Sequence, residues 1–332
     1  MTYYGYIGTY SQGEDGGIFR IGLGEKGIEI LGNTQAVNPS YLCRFGGWLL
    51  AVSETQSYQG RNGGAALSFS VGPHGELEEI SRQGVLGRDP CHIVGLGERV
   101  YTANYSEGTA TALGFQQGRF SPTLQVLPHW GKGADPARQE MAHIHCVVPT
   151  PDGNLAMCDL GTDQVAVYTP AFQRVSAVSL PAGSGPRHIV FGGNWAYVIA
   201  ELSSRVFVYG YRDGVLAYQG DYPLLPADFT GFSNGAAVKI SPCGRFLVCS
   251  NRGHNSLTSF RVLEGGGLEF WERVPCGGDF PRDFAYTPDG KFLLCANQKS
   301  DSLTLFQVGE EGRLTETGLS CRLPAPVCVL FD

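Results

Sequence analysis

Two stretches near the end of this 332-residue chain are near copies of each other: SPCGRFLVCSNRGHNSLTSFRV (241–262) and TPDGKFLLCANQKSDSLTLFQV (287–308). Each reads as a turn, a strand, a polar pair, a turn and a second strand. TPDGNLAMCDLGTDQVAVYTP (150–170) is a third copy and FGGNWAYVIAELSSRVFVYGY (191–211) a fourth. Short segments ahead of the copies also line up: NPSYL (38–42), DPCHI (89–93), AHIHCV (142–147), GPRHIV (185–190), NGAAVKI (234–240), FPRDFAY (280–286) and APVCVLF (325–331). With Pro39, Pro90, His143, Pro186, Gly235, Pro281 and Pro326 as equivalents, the spacings are 51, 53, 43, 49, 46 and 45 residues. A repeat of that length built from three or four strands is the signature of a β-propeller, and seven copies mean seven blades.

The seventh copy runs to Asp332 with only its first strand. The N-terminus offers the strands it lacks, in YYGYIGTY (3–10), GGIFRIGL (16–23) and GIEILGN (27–33). The expected fold is therefore all-β, one propeller domain over residues 1–332. Both ends of the chain share a blade, which removes the open edge a linear array would leave.

Composition narrows the function. The net charge of −7 comes without a basic block, which argues against nucleic acid or a membrane surface as partner. MTYYGYIGTYSQG has neither the basic flank nor the apolar core of a secretory leader, and no run approaches the roughly 20 apolar residues of a membrane span. None of the ten cysteines forms a CxxC pair, and Cys146, Cys158, Cys249 and Cys295 lie inside strand-like runs. They read as reduced, buried thiols. The expectation is a cytoplasmic protein, monomeric or weakly homo-oligomeric.

In a propeller the first strand of each blade lines the central channel. On a strand, alternate residues share a face, so His143 and His145 of MAHIHC (141–146) point the same way. The residue two beyond each reference position is Tyr41, His92, His145, His188, Ala237, Asp283 or Cys328. Three histidines on consecutive blades should therefore meet at one cavity. A second polar ring ends the next strand: Glu54, Asn104, Asp159, Glu201, Asn251 and Asn297. Arg187 and Arg282 follow their reference prolines, and Arg252 sits beside the second ring. Each group also has a plain structural role. Inner-strand histidines can tie blades together, Glu201 with Arg187 can be a buried ion pair, and Asn or Asp can cap turns. The capping role is the better reading for Asn104, Asn251 and Asn297. What favours a functional cluster is its lopsidedness, because Ala237 and Cys328 leave other blades bland. Three histidines could hold zinc or iron, and Glu54, Asn104 and Asp159 a harder ion. No HxxxH or HExxH spacing supports this, and the arginines would repel a cation, so no metal and no cofactor is expected.

The chain resembles the seven-bladed β-propeller lactonase family, typified by the bacterial propeller-type 6-phosphogluconolactonase and the fungal carboxy-cis,cis-muconate lactonizing enzyme. The resemblance runs from YIGTY to the last blade. It is carried by RQEMAHIHCV (138–147), DLGTDQV (159–165), GPRHIVF (185–191), SNRGHNSL (250–257) and FPRDFAYTPDGKFLLCANQ (280–298), with NPSYL, SETQSYQGRNGG (53–64), DPCHI and ANYSEG (103–108) in agreement. It implies active-site roles for His143 or His145, Arg187, Glu201 and Arg252. The family usually has Pro before the first of these histidines, where this chain has Met141-Ala142. That departure bears on loop 128–142, read as a rim or lid over the channel, and on substrate identity.

Lactone hydrolysis needs a base for water, donors where the carbonyl oxygen gains charge, and an acid for the leaving alkoxide. The reading is His145 as base assisted by Glu201, with His143 and His92 as alternates, and Arg187 and Arg252 at the oxyanion or a substrate anion. Arg138 and Arg282 suit a distal phosphate or carboxylate. His188, Glu54, Asn104, Asp159, Asn251 and Asn297 complete the lining. The expected partner is a small anionic lactone or sugar acid. A lactonizing cycloisomerase would use the same groups, a metal-dependent lactonase would bind an ion, and a non-enzymatic ligand-binding propeller would have a blander channel.

Overall fold

In a computed structural model describing residues 2–10, 15–24 and 27–332, the chain forms seven four-stranded antiparallel sheets arranged as a seven-bladed β-propeller. Blade one runs outward through Leu42–Phe45, Trp48–Ser53, Ala65–Val71 and Leu77–Gly84. The innermost strands of blades two to six are Pro90–Leu96, Ile144–Pro149, Pro186–Gly192, Asn234–Ile240 and Pro281–Tyr286. Blade seven takes its innermost strand, Pro326–Phe331, from the C-terminus and its next three, Tyr3–Thr9, Ile18–Gly24 and Gly27–Thr34, from the N-terminus. Ile7 pairs with Val329 and Gly5 with Phe331 across that closure, as the missing strands of the seventh repeat require. A Cβ on Gly8 would lie 2.1 Å from the Pro39 carbonyl oxygen, so only glycine lets the closing strand pass the entry of blade one.

The burial pattern explains the apolar runs. Trp48–Ser53 and Trp195–Ala200 are buried at every residue after the first, with no alternation. A blade is covered on both faces by its neighbours, so its inner strands are apolar on both sides, and only outer strands such as Val215–Pro223 meet solvent. The core is accordingly split into seven apolar clusters, one between each pair of adjacent blades. Cys146, Cys158, Cys249 and Cys295 are completely buried in three of them.

One local feature sets up the channel. In blades two to seven the pairing of the innermost strand with its neighbour slips by one residue, between Pro90 and His92, Ile144 and Cys146, Pro186 and His188, Gly235 and Val238, Pro281 and Asp283, and Pro326 and Cys328. Each slip is a β-bulge, which re-aims the side chain it carries. In four of these blades the extra residue is Cys91, His145, Arg187 or Arg282, and all four line one central cavity.

This register corrects the equivalences drawn from sequence. Ile144, not His143, occupies the place of Pro90, Pro186 and Pro281. His145 therefore belongs with Arg187 and Arg282, and Cys146 takes the place expected for it beside His92 and His188. The second ring also separates into two. Asn104, Asp159, Asn251 and Asn297 pair with the strand entry, at Pro90, Ile144, Gly235 and Pro281. Glu54 and Glu201 lie one residue further, where the backbone N–H donates to the carbonyl ahead of the innermost strand of the same blade, as do Tyr10, Tyr105, Leu160 and Gln298. Arg252, paired with Asn234, completes this upper tier.

Candidate active site

The lower ring of asparagines is occupied locally. Asn104 donates to Thr109 and Thr111 at 3.0 and 2.9 Å, Asn251 to Ser256 and Thr258 at 3.0 Å, and Asn297 to Thr304 at 3.0 Å. These amides hold the turn between the second and third strands. Asp159 accepts from the Thr162 and His143 backbone N–H groups and from His129. The structure thus does not bring Asn104, Asp159, Asn251 or Asn297 to the cavity, and the Glu54/Asn104/Asp159 set does not converge. Among the described residues no group of three or more His, Cys, Asp or Glu side chains gathers in a metal-binding arrangement. Asn251→Ala removes a buried donor from two hydroxyls, leaving Ser256 with His254 and Thr258 with Leu224 O and Arg273. We expect a loss of ~1–3 kcal/mol in chemical denaturation with kcat unchanged.

The upper tier and the bulged residues make the site. Glu201 is bound by three guanidinium groups: Arg252 Nη2 at 2.6 Å, Arg138 Nη2 at 2.6 Å and Arg187 Nε at 3.2 Å. Glu201, Arg187 and Arg252 are only 2%, 3% and 5% exposed. Burial alone would raise the Glu201 pKa, but Arg252, Arg187, His145 and Arg138 outweigh it and hold the carboxyl well below the usual carboxylate range. Glu201 is thus a fixed anion, unsuited to carrying protons. Burial pushes Arg252 down to about 10, still a cation at neutral pH. Arg138 comes from loop 128–142 and is the one partner of Glu201 that reaches solvent.

That loop is pinned over the mouth. His129 bonds Asp159 and the Tyr168 hydroxyl, each at 2.9 Å, and Gln139 donates to Leu160 O and Asp163 at 2.8 Å. A Cβ on Gly161 would sit 1.9 Å from the Met141 carbonyl oxygen, so glycine is required where the Asp159-capped turn meets the start of MAHIHC. The contact fixes His143. Its ring stacks on Tyr105 at 4.4 Å, its Nδ1 donates to Tyr105 O at 2.9 Å, and its Nε2 lies 3.3 Å from the Glu140 carboxylate.

His145 lies deeper, on the cavity wall beside Arg187 and His188, with its Nδ1 3.8 Å from the Cys91 thiol. Burial, and then Arg187, lower its pKa well below the ordinary histidine value, with Glu201 opposing. His145, His188 and His92 then descend as a chain of edge-to-face rings, with centroids 5.3 and 5.7 Å apart, ending where His92 stacks on Tyr41 at 4.0 Å. His92 and His188 are thus the lower wall. The free space between the lining side chains is about 10 Å³, room for about one water. A sugar-sized ligand therefore belongs in the mouth above, not in the cavity.

Opposite Glu201, Glu54 accepts from the Tyr10 hydroxyl at 2.9 and 3.0 Å and from the Ser40 hydroxyl. Arg282 donates to the same Tyr10 hydroxyl at 2.5 Å and has no carboxylate within 4.0 Å among the described residues. Tyr10, Ser40, Cys91, Tyr105 and Glu140 had not been singled out from sequence. Tyr10 and Tyr105 were detectable, since each follows the strand end in the same place as Arg252.

The four arginines at the mouth lie among Glu201, Glu54 and the rim carboxylate Glu140, with Asp283, paired to Lys239 at 3.3 Å, also on the cavity wall. The buried charges gather at one end of the central channel, as in a propeller with a ligand site at one mouth. The family model described as Lactonase, 7-bladed beta-propeller matches residues 4–331. A 6-phosphogluconolactonase of Bacillus subtilis is 33% identical, over 99% of this chain and 98% of that protein. The structure of a Pseudomonas aeruginosa periplasmic gluconolactonase superposes with a TM-score of 0.92 at 33% identity, covering 100% and 99% of the two chains. A Lactobacillus plantarum protein gives 0.92 at 31%, covering 100% of both. The chain belongs to the seven-bladed β-propeller lactonase family.

Proposed function

We propose that the protein hydrolyses a small anionic sugar lactone of the 6-phosphogluconolactone type. The observation that carries this reading is the placement of guanidinium groups at the mouth. One relative is named for the phosphorylated sugar lactone and another for gluconolactonase activity; Arg282, with no carboxylate within 4.0 Å among the described residues, and the solvent-reaching Arg138 favour the charged substrate. In this scheme Arg138, on the rim, and Arg282 take the substrate's distal anion. Arg187 and Arg252, held by Glu201, donate to the carbonyl oxygen as it gains charge. Their geometry is fixed before substrate arrives, which is what makes such donors effective.

His145 is the proton acceptor. Burial and Arg187 favour its neutral form, which leaves a ring lone pair to take the proton, and Glu201 steadies the imidazolium that forms. His143, anchored on Tyr105, orders the rim beside it. The test is a pH-stat assay on 6-phosphogluconolactone and gluconolactone, with and without chelator, after subtraction of spontaneous opening. Chelator-resistant acceleration of the phosphorylated lactone is expected, with His145→Gln and Arg187→Met each ~10²-fold slower in kcat/KM. Equal rates on the two lactones would remove the anion preference. Near-wild-type turnover by both variants would remove the assignment.

A further inference from the structure

We propose that Glu54 is the second proton-transfer group of this site, acting across the mouth from His145 on the ring oxygen that leaves the lactone; the proposal rests on the lactonase reading above. Glu54 and Glu201 hold the same position in blades one and four, but their surroundings are opposite. Glu201 has three guanidinium partners within 3.2 Å. Glu54 has none within 4.0 Å among the described residues; its partners are the hydroxyls of Tyr10 and Ser40, which donate to it and hold its charge less firmly than a guanidinium would. It lines the same cavity wall as His145, Arg187 and Arg282.

Burial raises the Glu54 pKa, with Asp89 adding to it; Arg282, Ser40 and Tyr10 only partly hold it back. Two carboxyls at one site whose environments push them apart mark a division of labour. Glu201 stays charged and orients the arginines, while Glu54 is the more readily protonated of the two and is the one placed to give a proton. The phenol shared by Glu54 and Arg282 lets the cation stabilise Glu54 after the proton leaves.

The step balances as follows. Water oxygen bonds to the lactone carbonyl carbon and gives one proton to His145. The bond from that carbon to the ring oxygen breaks, and the ring oxygen takes the Glu54 proton to become a hydroxyl. The new carboxylic acid releases its proton to solvent, and the His145 proton returns to Glu54 through solvent.

Two measurements on the full chain test this. In protein carrying ¹³C-labelled glutamate side chains, the carboxyl resonance absent from Glu54→Gln should titrate above the ordinary glutamate range in the free enzyme. That result is independent of substrate identity. On the lactone that wild type accelerates, Glu54→Gln should lower kcat by ~10²-fold with KM little changed, and the fall of kcat/KM at alkaline pH should disappear. Tyr10→Phe should keep most of the rate and move that limb. The groups facing Glu54 that could move it instead are Tyr10, Arg282, Asp89 and Cys91. A Glu54 resonance titrating at or below the ordinary value, or a Glu54→Gln enzyme of wild-type kcat and unaltered limb, would overturn the proposal and leave the lactonase reading intact. Absence of acceleration by wild type itself would instead sink that reading.

Discussion

Glu201→Gln is expected to lose ~3–5 kcal/mol of stability and ~10²–10³-fold in kcat. The carboxylate is the only acid within 4.0 Å of Arg187 or Arg252 among the described residues, and both arginines are almost fully buried. Removing it leaves two guanidinium groups out of water with uncharged acceptors alone: the glutamine oxygen, the carbonyls of Ala236 and Gly235, and the His188 ring. Arg138, at the rim, can turn to solvent and adds little to the loss. The glutamine keeps the shape, so the effect reports charge rather than volume. Adding Arg252→Met to Glu201→Gln should recover part of the stability, because one orphaned cation is gone, while activity stays low. That double-variant cycle, read by chemical denaturation and by kcat, separates the stabilising role of the cluster from its chemical one. An unchanged midpoint in the single variant would mean that water reaches Arg187 and Arg252 and that the cluster is not closed.

The fold was legible because a propeller repeats: a turn, an apolar run and a polar strand end recur often enough to align without a structure. The site was legible in outline, since His145, Arg187, Arg282, Glu54 and Glu201 do meet. What failed was single-residue register. AHIHCV has no proline, so either neighbour of Ile144 could serve as reference, and a β-bulge leaves no mark in composition. The strand end before Glu201 is Ala200, where four other blades have Asn or Asp, so the eye moves to the next polar residue and merges two tiers into one. Hydrogen-bond pairing resolves them. It shows why Asn104, Asn251 and Asn297 look like site residues but serve turns, and why Tyr10 and Tyr105 look like strand aromatics but face the mouth.

Stability is expected to fall steeply as pH drops below about 6.5. His92, His145 and His188 are buried in the channel, and burial, with Lys239 and Arg187 at His92 and Arg187 at the other two, lowers all three pKa values, that of His92 to about 3. Glu201 and a backbone hydrogen bond pull the other way, both at His145. The sign follows from proton counting. Below an unfolded value of about 6.5 the unfolded chain binds protons at these rings that the folded chain refuses, so stability is complete above that pH and is lost as pH falls. Three protons taken up on unfolding correspond to a slope of ~4 kcal/mol per pH unit. Glu201, depressed in the folded state, adds a loss of the same sign only below the ordinary glutamate value of 4.5. Urea denaturation between pH 7.5 and 5 reads the histidine contribution, offset in part by Glu54, whose raised pKa gives the folded chain a proton the unfolded chain lacks; comparison with His92→Phe singles out one ring. His92→Phe, which keeps a ring against Tyr41, should reduce the slope by one proton, ~1.4 kcal/mol per pH unit. A flat profile across that window would mean that the rings protonate in place, with water or an anion reaching the channel. The His145 lone pair would then no longer be the ready acceptor that the proposed hydrolysis requires.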